Sequence, residues 1–173
     1  MSEVFANIRD LFSDQKSAIN RLNQLLIDLR SFTLGTIFET QSTNLAQAIY
    51  QGINLNRIRS RSERKIYLTG GEKLEVSTSH FIISQSVFLI LRYFDTCYPE
   101  KSNDTISIDC STYDQPDLGN YVEIHFTLEN LEFYRESDDL DIVTHLVQSS
   151  QGSLTTNLYN NSLSIIIKML QFK

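Results

Sequence analysis

Long apolar runs are missing from this 173-residue chain. No stretch approaches the roughly 18 apolar residues that a membrane-spanning helix needs. The opening "MSEVFANIRDLF" is amphipathic and has no basic region followed by an apolar one, so no secretory signal is expected. Cysteine is nearly absent too. Cys97 and Cys110 are too few for a disulfide framework and do not have metal-ligand spacing. They suit a reduced, cytoplasmic compartment, with both thiols buried as small apolar groups. No P-loop, Ser-His-Asp order, Cys–His pair, repeat or low-complexity tract is present. No metal and no cofactor is therefore expected.

Positive charge is scarce in the second part of the chain. Residues 1–75 carry 10 Lys+Arg against 8 Asp+Glu, which leaves 5 against 13 for residues 76–173 out of totals of 15 and 21. The net charges are +2 and −8, and a body that acidic repels nucleic acid and nucleotides at long range. The one basic cluster, "RIRSRSERK" from Arg57 to Lys65, is short and has no interleaved aromatics. It reads as a solvated connector, and nucleic acid is not an expected partner.

What is present is a strong periodic start. Three seven-residue series run through it: Ile8, Gln15, Leu22, Leu29; Val4, Leu11, Ala18, Leu25, Phe32; and Phe5, Phe12, Ile19, Leu26, Thr33. As heptad positions these are a, d and e, a stripe too wide for a bare two-stranded seam and suited to several neighbours. The unbroken register predicts one long helix over 1–35, with Gly35 as its cap; a break near Ser13–Gln15 is the alternative. A helix of ~30 residues extends about 45 Å and would overhang a small domain, which points to dimerisation. Leu11, Ala18, Leu22, Leu25, Leu26, Leu29 and Phe32 are the expected interface. A core helix of the same domain is the competing reading.

Beyond it the patterns shorten. "STNLAQAIYQGINLNRIRS" predicts a helix capped by Ser42 or Thr43, with Leu45, Ile49, Ile53 and Leu55 inward. "KIYLT" predicts a strand, Gly70-Gly71 a turn, and "KLEV" a second strand. "SHFIISQSVFLILRYFDTCY" predicts the central buried helix, capped by Ser79. "TISIDCS" and "YVEIHFTL" alternate as a strand pair joined by "TYDQPDLGN". "DDLDIVTHLVQSSQG" predicts a helix with Leu140, Val143, Leu146 and Val147 inward and Gly152 at its C-cap. The chain closes on a hairpin turning at Asn160-Asn161.

This order, with "INRLNQLLIDLRSFTLG", "TNLAQAI", "KIYLTGG" through "SVFLILRYFDTCYP", "DTISIDC" and "DIVTHLVQSSQGSL", resembles sensor histidine kinases over nearly the whole chain. The resemblance implies an α+β fold: a dimerisation helix at 1–35, then an α/β sandwich at 36–173 like a histidine kinase ATP-binding domain. It also shows what is missing. His80, His125 and His145 lie outside the N-terminal helix where the family carries its phosphoacceptor. The family's magnesium-binding Asn is matched by Phe94 or Asp95. No Asp-x-Gly-x-Gly follows "YVEIHFTL", only "EFYRES" stands where the ATP lid should be, and Ser137 and Asp139 replace glycines of the second glycine box. Phe94, Asp95, Ser137 and Asp139 thus mark a vestigial cleft. Asp138, Asp139 and Asp141 are expected to cap the helix N–H groups that elsewhere receive phosphate, and to cancel the helix dipole there.

The implied function is a non-catalytic adaptor. It would be a homodimer that binds no ATP and docks on an acidic signalling protein, a histidine kinase or response regulator, through Arg9, Lys16, Arg21 and Arg30. The alternatives are a residual ATPase or phosphotransferase, in which Asp95 and Asp139 hold a metal-bridged nucleotide, and a nucleic-acid-associated structural protein using "RIRSRSERK".

Overall fold

The computed structural model describes residues 42–60, 64–98, 105–115, 119–129, 131 and 134–172, together with the single helical residue Gln15. The expected dimer-interface residues, the four candidate partner cations Arg9, Lys16, Arg21 and Arg30, and the domain boundary at 35/36 lie outside the described residues.

The elements are β1 (Ser42–Asn44), α1 (Leu45–Arg59), β2 (Lys65–Thr69), β3 (Glu75–Ser77), α2 (His80–Cys97), β4 (Thr105–Gln115), β5 (Gly119–Leu128), α3 (Asp138–Ser149), β6 (Ser153–Tyr159) and β7 (Ser162–Leu170). Five strands form a mixed sheet in the order β2-β4-β5-β7-β6, in which only β2–β4 is parallel. The β2–α2–β4 crossover supplies that parallel pair, as such connections require. Strand alternation puts Ile106 and Ile108, Val122, Ile124, Phe126 and Leu128, and Leu163, Ile165, Ile167 and Met169 on one buried face. Against that face pack the buried sides of α1, α2 and α3.

Helix α2 is the centre, as its composition predicts. Residues from Ile82 to Phe94 are buried nearly all round, and Ser79 caps it by accepting from the Ile82 N–H. Helix α1 lies close against α2. A Cβ at Gly52 would sit 2.6 Å from the Ser84 carbonyl oxygen and from Val87 Cβ, so glycine sets the approach of the two helices.

Three local expectations are corrected. The cap of α1 is Asn44, whose side chain accepts from the Gln47 N–H at 3.0 Å, while Ser42 and Thr43 sit in β1. The strand expected over "KLEV" is Glu75–Ser77, and it pairs with β1 in a separate two-stranded sheet. The C-cap of α3 is Ser150, not Gly152. Gln151 takes the left-handed conformation at φ 59°, and the N–H groups of Gln151 and Gly152 bond back to the Gln148 and Val147 carbonyls. This is a Schellman ending with glutamine in the place glycine prefers. The Gly70-Gly71 turn, at φ 74° and 83°, and the Asn160-Asn161 turn, at φ 50° and 60°, are as expected.

Candidate functional site

The resemblance locates a nucleotide site between α2, the β5–α3 connection and the start of α3. Helix α3 begins with an N-terminus that would attract an anion, since its first N–H groups have no helical partner. Ser137 is the N-cap, and its hydroxyl accepts from the Asp139 N–H at 3.2 Å. The carboxylate of Asp139 does not cap the helix as expected. It is held in a two-point fork by Arg92 of α2: Arg92 Nε donates to Oδ2 at 2.9 Å and the guanidinium NH2 group to Oδ1. This contact is only partly exposed, and it raises the Arg92 pKa above its ordinary value, chiefly through the hydrogen bond to Asp139. Asp138 and Asp141 stay on the exposed side of the first turn.

The connection into α3 is pinned from the same helix. The Tyr93 hydroxyl donates to the Arg135 carbonyl at 2.8 Å, and the Arg135 N–H donates to the Tyr98 hydroxyl at 3.0 Å. The two phenols are 3.0 Å apart, so the Tyr98 hydroxyl donates to that of Tyr93 and the ring of bonds closes. The phenyl rings meet edge to face with centroids 5.6 Å apart. Burial, followed by the bond to Tyr98, pushes the Tyr93 phenol well above the usual range, so it stays protonated. The backbone of Leu131 is tied in as well, donating to the Asn161 carbonyl at 2.8 Å. β5 ends at Leu128, so residues 129–137 connect it to α3, and two tyrosines hold that connection against α2.

The expected cleft residues do not form one group. Phe94 is fully buried in the core. Asp95 turns toward α1, accepting from Asn56 Nδ2 at 3.0 Å and pairing with Arg64 at 3.2 Å. Asp139 is engaged by Arg92. Each carboxylate has its own cationic partner, which leaves the pairing of Asp95 with Asp139 around a metal-bridged nucleotide without support.

Arg64 is the residue the sequence reading missed. It lies inside the cluster read as a solvated connector, yet its side chain is 1% exposed. Beyond Asp95 it donates to the Tyr98 carbonyl at the C-cap of α2, where a cation complements the helix dipole. Arg57 and Arg59 of the same cluster are exposed. His80 bonds Gln51 through Nε2, and its burial lowers its pKa. His125 bonds Glu123 at 2.9 Å on the open face of the sheet, and His145 is exposed. Neither thiol is fully buried as expected. Both are half-buried and free, and burial raises both, Cys110 to about 12. Among the described residues no group of three His, Cys, Asp or Glu side chains could hold a metal ion, and no helix is long and apolar enough to cross a membrane.

No family model matches the chain, and no curated protein does. Solved structures do. The mycobacterial sensor histidine kinase MprB superposes with a TM-score of 0.60 at 13% identity, over 76% of this chain and 98% of that one. AdeS, a histidine kinase of Acinetobacter baumannii, gives 0.60 at 13% identity over 94% and 85%. Histidine kinase ThkA, in complex with the response regulator protein TrrA, gives 0.62 at 16% identity over 91% of this chain and 49% of that one. The body that begins at Ser42 therefore has the fold of a histidine kinase ATPase domain.

Proposed function

We propose that the protein is a non-catalytic, kinase-like adaptor that does not bind ATP and docks on a signalling protein, a histidine kinase or a response regulator. The observation that carries this reading is the Arg92–Asp139 fork at the start of α3. A helix N-terminus binds phosphate through free N–H groups and positive potential. Here the first turn holds Asp138, Asp139 and Asp141, so a triphosphate meets carboxylates. The guanidinium that could have offset them is already spent on one of them. The tyrosine-pinned connection supports the same reading, because a lid would have to lift the segment that Tyr93 and Tyr98 hold down.

The partner half of the proposal is supported by the fold of ThkA, the kinase solved in complex with a response regulator. Charge supports an acidic partner surface. Arg9, Lys16, Arg21 and Arg30 fall on the polar positions of the N-terminal heptads, and Arg57 and Arg59 end α1, while residues 76–173 carry the negative charge. Such complementarity acts more on encounter rate than on affinity. The a/d/e stripe over 1–35 supports a homodimer, since an apolar strip of that length is rarely left exposed. The free cysteines suit a cytoplasmic setting.

Capture with the tagged full-length chain from its own cells, followed by mass spectrometry, tests the partner half. Recovery of a two-component kinase or response regulator, weakened by Arg21→Glu/Arg30→Glu and by added salt, is expected. Recovery unaffected by that reversal but abolished by changes at Asp138 and Asp139 would move the contact to the α3 start and refute the cationic surface.

A further inference from the structure

We infer that β6 is a pairing edge for the β6 strand of a second copy of this chain. The strand closes one side of the five-stranded sheet, and among the described residues no strand lies beyond it. Natural edge strands are guarded by charge, proline, bulges or brevity. Ser153–Tyr159, "SLTTNLY", has no charge and no proline, and its register against β7 runs unbroken from Ser153↔Lys168 to Tyr159↔Ser162. The strand is also exposed: Leu158 is 42% and Tyr159 75% accessible, and Ser153, Thr155 and Asn157 are exposed as well.

The direction of its free backbone groups follows from the turn. Asn160 and Asn161, both left-handed, form the two-residue loop of a tight hairpin, so Tyr159 and Ser162 exchange hydrogen bonds. The bonded positions then alternate along the strand. Tyr159, Asn157, Thr155 and Ser153 bond to β7. Leu158, Thr156 and Leu154 point their N–H and C=O groups outward, away from the sheet.

The sequence of β6 is self-complementary about Thr156. A two-fold axis there sets Thr156 opposite itself, Leu154 opposite Leu158, and Thr155 opposite Asn157. The three outward residues of each copy meet as bonded pairs, for up to about six backbone hydrogen bonds in an antiparallel ladder. Side chains match by face. Leu154 and Leu158 lie on the helix side of the sheet, paired with Ile167 and Leu163 of β7, so leucine meets leucine there. Helix α3 packs on β6 from that same side. On the open face, threonine meets asparagine. An isologous contact of this kind needs one patch that complements itself. It is separate from the helical pairing proposed for residues 1–35, and molecular mass alone would not tell the two apart.

Amide hydrogen exchange of the full-length chain reads the strand directly. In the wild type, the Leu154, Thr156 and Leu158 amides should be protected at near-millimolar protein. The Thr155→Lys/Asn157→Lys variant places lysine opposite lysine across the axis and should speed those three amides at least about tenfold. The Thr155 and Asn157 positions, bonded to β7, should hold their protection and report that the strand is still folded. Thr155→Lys/Asn157→Glu puts lysine opposite glutamate and should restore protection. Equal, fast exchange of the three outward amides in the wild type and in both variants would overturn the inference, as would protection that the lysine pair leaves untouched.

Discussion

Replacing Arg64 by methionine should be among the costliest single changes in this protein. The side chain is 1% exposed, and its guanidinium bonds both Asp95 and the Tyr98 carbonyl. Methionine refills most of the apolar volume, so the loss is electrostatic. Two hydrogen bonds to a charged group contribute roughly 1.5–3 kcal/mol each. Their removal leaves Asp95, itself 15% exposed, with the neutral Asn56 amide as a hydrogen-bond donor and without the cation that balanced its charge. Breaking a buried pair in this way costs about 3–5 kcal/mol. For a protein of this size that is a fall in Tm of roughly 10–15 °C. Urea and thermal unfolding followed by circular dichroism measure it. Arg57→Met, at an exposed position of the same basic run, should stay within about 0.5 kcal/mol. Adding Asp95→Asn to Arg64→Met should recover part of the loss, because the stranded carboxylate is gone. A cost for Arg64→Met below about 1 kcal/mol, or equal to that of Arg57→Met, would refute the reasoning.

Five further outcomes are expected. Gln151→Gly should stabilise by about 0.5–1 kcal/mol in urea unfolding, since relief of about 1–2 kcal/mol at φ 59° exceeds glycine's added entropy in the unfolded chain; Gly152→Ala should destabilise, its Cβ falling 2.5 Å from the Lys168 carbonyl oxygen. Ellman's reagent at pH 8 should react far more slowly with the native thiols than with free cysteine and fully after denaturation, because burial raises Cys97 and holds Cys110 at about 12. Lys168 and His125 depress the Glu123 pKa, so its contribution is present above the ordinary carboxylate pKa of about 4.5 and is lost as pH falls through the lower folded value; Glu123→Gln should flatten that acid limb. His80 is held neutral by burial, so the unfolded state takes the proton first as pH falls below about 6.5, and stability should drop there in the wild type but not in His80→Gln.

Local patterns made much of this fold legible. The apolar density of "FIISQSVFLILRYF" marked α2 as the buried centre, the period-two alternation of "TISIDCS" and "YVEIHFTL" gave β4 and β5, and Asn160-Asn161 gave the last turn. Each signal is contained within a few residues. What escaped depends on partners far along the chain. β1 is three residues long and exists because Ser42 to Asn44 meet Ser77 to Glu75. Arg64 looks like its basic neighbours until Asp95, 31 positions away, is beside it. Tyr93 and Tyr98 read as core aromatics, and only the fold brings the Arg135 backbone to their hydroxyls. The three aspartates at the start of α3 were visible in sequence; that Asp139 answers Arg92 rather than its own helix was not.

Titration calorimetry of the full-length protein with Mg-ATP and with Mg-ADP tests the central claim most directly. With Asp139 bound to Arg92 and the connection into α3 pinned, no saturable heat is expected up to nucleotide concentrations on the order of hundreds of micromolar. A saturable isotherm with a Kd below about 10 µM, roughly −7 kcal/mol, would contradict it and return the protein to the nucleotide-binding members of its fold.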